Sequence, residues 1–237
     1  MGVIIYNGIS SEELGIHVES PPDYEVPERD YEIIPVPGRN GDIIIDKGAY
    51  KNVEREYKIS IGEVDGDFSV LASKISSWLT SGYGYLRLED TYNPDIYMLA
   101  ASTNVSVITN ILQQAGRTVI KFNRKPERFL KTGEFPIEFT KDGLIINPTN
   151  NISKPIVTIY GNGAGTVNIE GHVIAVSDIS GYVTVDSDIG NAYKDGANKN
   201  STISLSDGYP TLKAGSSDIS FSGGVTKVEI IPRWWLI

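Results

Sequence analysis

The chain has 237 residues, 40% of them hydrophobic, no cysteine and a formal net charge of −9. That length and apolar content suit two compact domains rather than a disordered chain, and the missing cysteines exclude disulfides, thiol nucleophiles and cysteine-bound metals. Residues 1–138 hold 14 basic and 21 acidic side chains and residues 139–237 hold 7 and 9, so neither part has the basic footprint that grips a phosphate backbone, and direct nucleic-acid binding is not expected.

The first elements mix strands with one helix. Met1-Gly2-Val3-Ile4-Ile5-Tyr6 reads as a strand. It lacks the basic n-region and long apolar stretch of a signal peptide, and bulky Ile4, Ile5 and Tyr6 suit myristoylation poorly. No apolar run approaches the roughly 18 residues that cross a bilayer, so a soluble protein made in a cytoplasm, without membrane insertion, is expected. Ser10-Ser11-Glu12-Glu13-Leu14-Gly15 spells a capping-box turn stopped by glycine. A proline-rich acidic connector with Pro21, Pro22 and Pro27 follows. Tyr31 to Val36 and Asp42 to Asp46 then flank Pro37-Gly38-Arg39-Asn40-Gly41, which predicts a hairpin with turn residues at its tip. Tyr57 to Ile61 alternates as the next strand. Asp67 is placed to cap a helix whose Phe68, Leu71, Ala72, Ile75, Trp78 and Leu79 form one apolar stripe, and Gly82 to end it. Tyr83 to Leu88 and Ile96 to Ala101 read as strands around the turn Tyr92-Asn93-Pro94-Asp95. Val105 to Thr109 and Thr118 to Asn123 make a last pair.

Linker-like residues between Gly133 and Thr149 place the boundary there, giving domains over 1–138 and 139–237. From Pro155 on there is no useful helical periodicity. Short strands separated by Gly, Asn, Asp and Ser predict an antiparallel β-sandwich, so the fold class is mainly β: an α+β first domain with a sheet and one helix, then the sandwich. The chain closes on Ile230-Ile231-Pro232-Arg233-Trp234-Trp235-Leu236-Ile237. Adjacent strand residues point to opposite faces. One tryptophan therefore anchors a core, and the other packs on a second surface, of another domain or another subunit.

Nothing in the sequence is arranged for catalysis. Gly161-Asn162-Gly163-Ala164-Gly165 has the look of a phosphate loop, but a strand follows it in place of a helix and no Lys-Ser/Thr is present; a sharp hairpin connection is the expectation. His17 and His172 stand alone and read as structural. Asp186-Ser187-Asp188 with Asp195 departs from the calcium-loop pattern, having Asn191 and Ala197 where Gly and Glu belong, and reads as a solvated turn. Glu89-Asp90 is the one carboxylate pair at a strand end, and no Gly-x-Ser-x-Gly elbow exists. No metal, cofactor or catalytic set is assigned. Arg39, at the hairpin tip, is read either as solvated or as the partner of a neighbouring subunit's carboxylate.

Seven segments, in order, give the chain a resemblance to the distal tail protein family of siphophages, the long non-contractile-tailed phages. They are Tyr6 to Ile16, Val36-Pro37-Gly38-Arg39-Asn40-Gly41-Asp42, Ser81-Gly82-Tyr83-Gly84-Tyr85-Leu86, Tyr92 to Tyr97, Phe122-Asn123-Arg124-Lys125-Pro126, Pro155 to Gly163, and Ile231-Pro232-Arg233-Trp234-Trp235. The likeness spans nearly the whole chain and is looser over Leu212 to Asp218. It implies a virion protein of the phage tail tip, assembled in the host bacterial cytoplasm, with no enzymatic activity. As a homohexamer it would form a ring, or hub, joining the major tail tube protein to the tail-tip or tail-associated protein. The N-terminal domain would build the ring, with Pro37, Gly38, Arg39, Asn40 and Gly41 linking subunits. The C-terminal domain would be a galectin-like or carbohydrate-module-like sandwich on the periphery, near receptor-binding protein or host-surface glycans.

The residues themselves agree with a closed ring, which needs two different surfaces per subunit: a protruding hairpin and a groove or sheet edge to receive it. An acidic chain also suits a lumen that lets DNA pass without trapping it. A rival reading is a saccharide-binding module for host-surface attachment, with Tyr182, Tyr193, Tyr209 and Trp234 or Trp235 as stacking aromatics. A tail-associated wall hydrolase is the third, and it lacks a nucleophile or metal set.

Overall fold

The structure, a computed structural model, describes residues 2–61, 68–105, 109–111 and 115–237. Its contacts divide the chain into two units, Met1–Arg128 with Ile237, and Phe129–Leu236.

The first unit contains β1 (Ile4–Tyr6), β2 (Ile9–Ser10), a 3-10 turn over Ser11–Leu14, β3 (Ile16–Val18), β4 (Arg29–Ile34), β5 (Ile43–Tyr50), β6 (Val53–Ile61), α1 (Phe68–Leu79), β7 (Leu86–Asp90), β8 (Ile96–Val105), β9 (Thr109–Ile111) and β10 (Ala115–Leu130). The main sheet runs β2-β1-β7-β8-β10-β6-β3, and β4 and β5 form a separate two-stranded ribbon. Alternation selects the inner face of the sheet. In β6, Tyr57, Ile59 and Ile61 are buried while Glu54, Glu56 and Lys58 are exposed. On β10 it is Ile120 and Phe122 that turn inward. Helix α1 lays Ile75, Trp78 and Leu79 into the same core, the stripe read from its spacing. The Trp78 indole N–H donates to the Tyr6 carbonyl at 3.1 Å, and the Tyr6 ring packs on Phe122 at 4.9 Å between centroids. The capping box forms as spelled, with Ser10 accepting from backbone amides, Glu13 returning to the Ser10 amide, and Gly15 left-handed at φ 64°. The cap assigned to Asp67 and the middle of the strand read over Val105–Thr109 lie outside the described residues.

The second unit is a single curled antiparallel sheet. It holds β11 (Ile137–Phe139), β12 (Gly143–Asn147), β13 (Ile156–Ile169), β14 (His172–Asp186), β15 (Asn191–Lys194), β16 (Ala197–Asn198), β17 (Ile203–Leu205) and β18 (Gly215–Ile231); the short β19 (Trp235–Leu236) pairs instead with β10. Its central order is β11-β18-β13-β14-β15-β16, with β12 on β18 and β17 on β14. The strands are longer than the short runs expected, because glycines bend them instead of ending them.

The Gly161–Gly165 segment is the clearest case and corrects the hairpin expectation. Strand β13 continues through it, with register shifts against β14 and β18. A Cβ on Gly161 would lie 2.0 Å from the Gly224 carbonyl oxygen, and one on Gly224 would lie 1.8 Å from the Asn162 carbonyl oxygen. Two backbones cross here closer than any side chain permits, and the sheet folds over on itself. Val157, Ile159, Val167 and Ile169, before and after the bend, share one core with Ile174, Val185, Val228 and Ile230.

The sequence boundary at 138/139 and the division at 128/129 differ by the stretch 129–138. That stretch is tied to the chain's closing residues: Leu130 N–H donates to the Trp234 carbonyl and Arg233 N–H to the Gly133 carbonyl, both at 2.9 Å. Strand β11 then pairs with β18. The linker-like composition therefore describes turns inside the second unit.

Candidate functional site

The β4–β5 ribbon is the feature that the rest of its unit leaves uncovered. Its register pairs Ile34 with Ile43, Ile33 with Ile44, Glu32 with Ile45, and Tyr31 with Asp46. Paired residues share a face and successive residues alternate. One face therefore presents Ile34, Ile43, Ile45 and Glu32, and the other Ile33, Ile44, Tyr31 and Asp46. Tyr31, Ile33, Ile34, Ile43, Ile44 and Ile45 are between 38% and 63% exposed. A surface ribbon of a self-sufficient domain alternates apolar and polar; this one is apolar on both sides.

At the tip, Pro37, Gly38, Arg39, Asn40 and Gly41 are all exposed. Gly38 and Gly41 hold φ at 78° and 84°, a conformation that favours glycine. The Arg39 amide donates to the Val36 carbonyl at 3.2 Å. Among the described residues, no side chain partners the Arg39 guanidinium.

The root of the arm is polar and tightly held. Arg29 meets Asp46 at 2.7 Å, and its guanidinium stands 5.0 Å over the Tyr50 ring. The Gly48 amide, with help from Arg29, holds the Asp46 carboxyl below the usual carboxylate range against the opposing effect of burial. Before the arm, the connector Glu19–Glu28 crosses the end of the sheet. Its Glu25 carboxylate reaches Arg55 at 2.9 Å and approaches Arg124 at 3.8 Å. Arg55 also donates to Asp90 at 3.1 Å and to the Asp23 carbonyl at 2.7 Å. The Tyr57 hydroxyl donates to Asp90 at 2.7 Å. Burial, then the neighbouring Asp90 charge, raises the Tyr57 hydroxyl well above its ordinary value. Burial alone would lower Arg55, yet Tyr57 and Glu25 outweigh it and the net shift is upward; for Arg124 burial prevails and the shift is downward. Asp90, half of the Glu89-Asp90 pair, is thus a structural anchor.

The aromatic surface residues divide. Tyr182 stacks beside Tyr160, its cross-strand partner, at 5.9 Å between ring centroids. Tyr193 shares that face, because it pairs with Thr184, two residues along from Tyr182. Lys227 and Lys194 stand over the Tyr160 and Tyr182 rings at 4.3 and 5.2 Å. Tyr209 packs at the margin of the core beside Gly190. Trp234 is 4% exposed, inside the core, and leaves the candidate surface. Trp235 is half-buried and donates its indole N–H to the Ile152 carbonyl at 3.0 Å. Tyr160 belongs to the aromatic face and was missed; its place two residues from Thr158 along an alternating strand is the signal that marks it.

The remaining polar motifs have structural partners. Asp186 takes a two-pronged bond from Arg233 at 2.7 and 2.9 Å, Asp188 meets Lys154, and His172 contacts the Asp207 carbonyl. Among the described residues, no three His, Asp or Glu side chains gather into a metal site, and no helix is long and apolar enough to cross a membrane.

The two-unit β architecture shares its fold with a phage hub protein and with a chain of a phage baseplate. The chain superposes on the SPP1 Dit (gp 19.1) protein, described as a paradigm of the hub adsorption apparatus in phages that infect Gram-positive bacteria. The TM-score is 0.75 and the identity 11%, with both chains covered in full. A chain of the phage p2 baseplate, solved in its activated conformation with Sr, aligns with TM-score 0.51 and 10% identity over 97% of this chain and 96% of that one. No family model and no curated protein sequence matches.

Proposed function

We propose that this chain is a structural hub protein of a phage tail. Six copies close into a ring at the distal end of the tail tube and join the tube to the tail-tip and receptor-binding apparatus. The observation that carries this is the β4–β5 arm, with large apolar side chains on both faces that stay exposed among the described residues. Exposed apolar surface of this kind marks a protein contact, and a ring built head to tail supplies it from the next copy. The shared fold with two hub or baseplate proteins supports the same assignment. In this reading the Pro37–Gly41 tip enters the neighbouring subunit, where Arg39 meets a carboxylate. The chain acts as a component of the virion and turns over no substrate.

The test is light scattering with negative-stain imaging of the purified chain. Six-fold particles with a central hole are expected, and a strict monomer at every concentration overturns the ring. The tyrosine face of Tyr160, Tyr182 and Tyr193 favours saccharide attachment as a second reading, although Lys194 and Lys227 already occupy the ring faces a sugar would need. Binding of the full chain to a glycan array, lost in Tyr182→Ala, would establish that reading.

A further inference from the structure

We infer that Glu25 is a latch: its carboxylate, gripped by Arg55 and Arg124, fastens the connector Glu19–Glu28 to the sheet and thereby fixes the direction in which the β4–β5 arm leaves its subunit.

Apolar contact holds the connector only near its arm end, where Pro27 is buried. Tyr24 and Val26, on either side of Glu25, are 68% and 73% exposed, so no apolar side chain next to Glu25 pins its part of the segment. Its backbone ties lie at the two ends, where Glu19 N–H donates to the Lys58 carbonyl at 2.9 Å and Lys51 N–H donates to the Glu28 carbonyl at 2.8 Å. Between them the grip is ionic and hydrogen-bonded. Arg55 takes the Asp23 carbonyl and the Glu25 carboxylate with one nitrogen, at 2.7 and 2.9 Å. Arg124 reaches the Glu25 carbonyl at 3.4 Å and its carboxylate at 3.8 Å. Arg128 stands 4.6 Å over the Tyr24 ring.

The two guanidiniums are themselves buried and hydrogen-bonded. Their side chains are 6% and 1% exposed. Arg55 is fixed from behind by Asp90 and Tyr57, and Asp90 in turn accepts the Tyr92 and Asn93 amides at 3.0 and 2.9 Å. Arg124 donates to the Lys125 and Pro126 carbonyls at 2.9 and 3.1 Å, and its Nε is buried without a partner. Among the described residues, Glu25 is the only carboxylate within ion-pair distance of Arg124, and Asp90 is the only other one that meets Arg55. Two buried cations therefore face two carboxylates, one from the rigid sheet and one from the connector. Removing the connector's carboxylate leaves Arg124 buried and uncompensated, which drives water toward it and lifts the connector away. A loosened root lets the arm sample many directions, and assembly then has to bear the cost of ordering it.

The assembly consequence rests on the proposed role of the arm; the latch itself does not. The chain has no cysteine, so paired spin labels at Asn40→Cys on the tip and Ser76→Cys on the exposed side of α1 report only the intended distance. Labelled chain diluted into excess unlabelled chain keeps that distance within one subunit. A narrow distance distribution is expected for the parent, and one at least twice as broad for Glu25→Gln, with cooperative unfolding retained. The double variant Glu25→Gln/Arg124→Met removes both charges and leaves no orphan, so it folds where the single variant falters; it too is expected to give the broad distribution. A distribution as narrow as the parent's in the folded double variant overturns the latch. Broadening in Glu25→Gln together with rings that survive arm-face substitutions would instead refute the assembly role and leave the latch standing.

Discussion

If the β4–β5 arm joins subunits in the proposed ring, its isoleucines make a quantitative demand on assembly. Ile33 and Ile44 are cross-strand partners on one face, 59% and 63% exposed in the isolated chain. Changing both to threonine keeps β-branched residues in the strands, so the ribbon persists while its apolar surface shrinks. Fully burying an isoleucine contributes about 1.5–3 kcal/mol, and the exposed fraction of each is what a neighbour would bury. The pair therefore contributes roughly 3 kcal/mol per arm, which at about 1.4 kcal/mol per tenfold weakens each contact on the order of 100-fold. The isolated fold should barely notice, since side chains already facing water shift stability by about 0.5 kcal/mol or less. Sedimentation velocity across a dilution series measures the first quantity and thermal melting the second. The same exchange at Ile34 and Ile43 probes the opposite face. Loss of rings in both double variants, with unchanged melting, means that the arm is enclosed on both sides. Rings that dissociate at the parent's concentration in both variants refute the assembly role of the arm.

The second unit yields two further expectations. Gly224→Ala places a Cβ 1.8 Å from the Asn162 carbonyl oxygen, so it should destabilise the sheet bend by about 3 kcal/mol or more, seen as a lowered denaturant midpoint; an unchanged midpoint would show that the two backbones separate freely. Burial pushes the Asp186 carboxyl upward, but bonds from Arg233 and from the Asp188 and Ile189 amides prevail and hold it below its ordinary value. A carboxyl lowered on folding adds stability above its unfolded pKa of about 3.9, and that stability is lost as the pH falls through the folded value. Below about pH 4 the parent should therefore lose stability more steeply than Asp186→Asn, in melts followed from pH 6 to pH 2; parallel curves would count against the Arg233 bond.

Periodicity carried most of the fold. Helix α1 and the buried side of β6 follow from spacing alone, because one apolar face against one core leaves few alternatives. The arm was legible as a hairpin from its glycines and prolines, yet its meaning lies in what the sequence conceals: Ile33-Ile34 and Ile43-Ile44-Ile45 read equally well as strands buried on both sides. Only the register, together with their exposure among the described residues, shows those residues facing water. The bend at Gly161 escapes sequence reading for a related reason. A glycine cluster announces an unusual backbone, but whether the chain reverses or merely bends depends on a second strand some sixty residues away in sequence.

The polar network behind the arm was the least legible part, and its physics explains why. Glu25, Arg55, Asp90 and Arg124 have no common spacing, and each looks like an ordinary surface charge in its own segment. Burying them is costly unless every member finds its partner, so the cluster exists only because the fold brings β6, β7, β10 and the connector to one place. Such a network adds little net stability over a well-packed apolar core. What it adds is geometric selectivity, since a charged group in a fixed fork tolerates few alternatives while an apolar side chain tolerates many. In the proposed ring the two features would be complementary. The arm's apolar surface is permissive, and the proposed ionic latch at its root would restrict it to one direction. A ring closes only when each subunit presents its arm at the same angle, so the specificity of closure would reside in the buried charges while the affinity resides in the isoleucines.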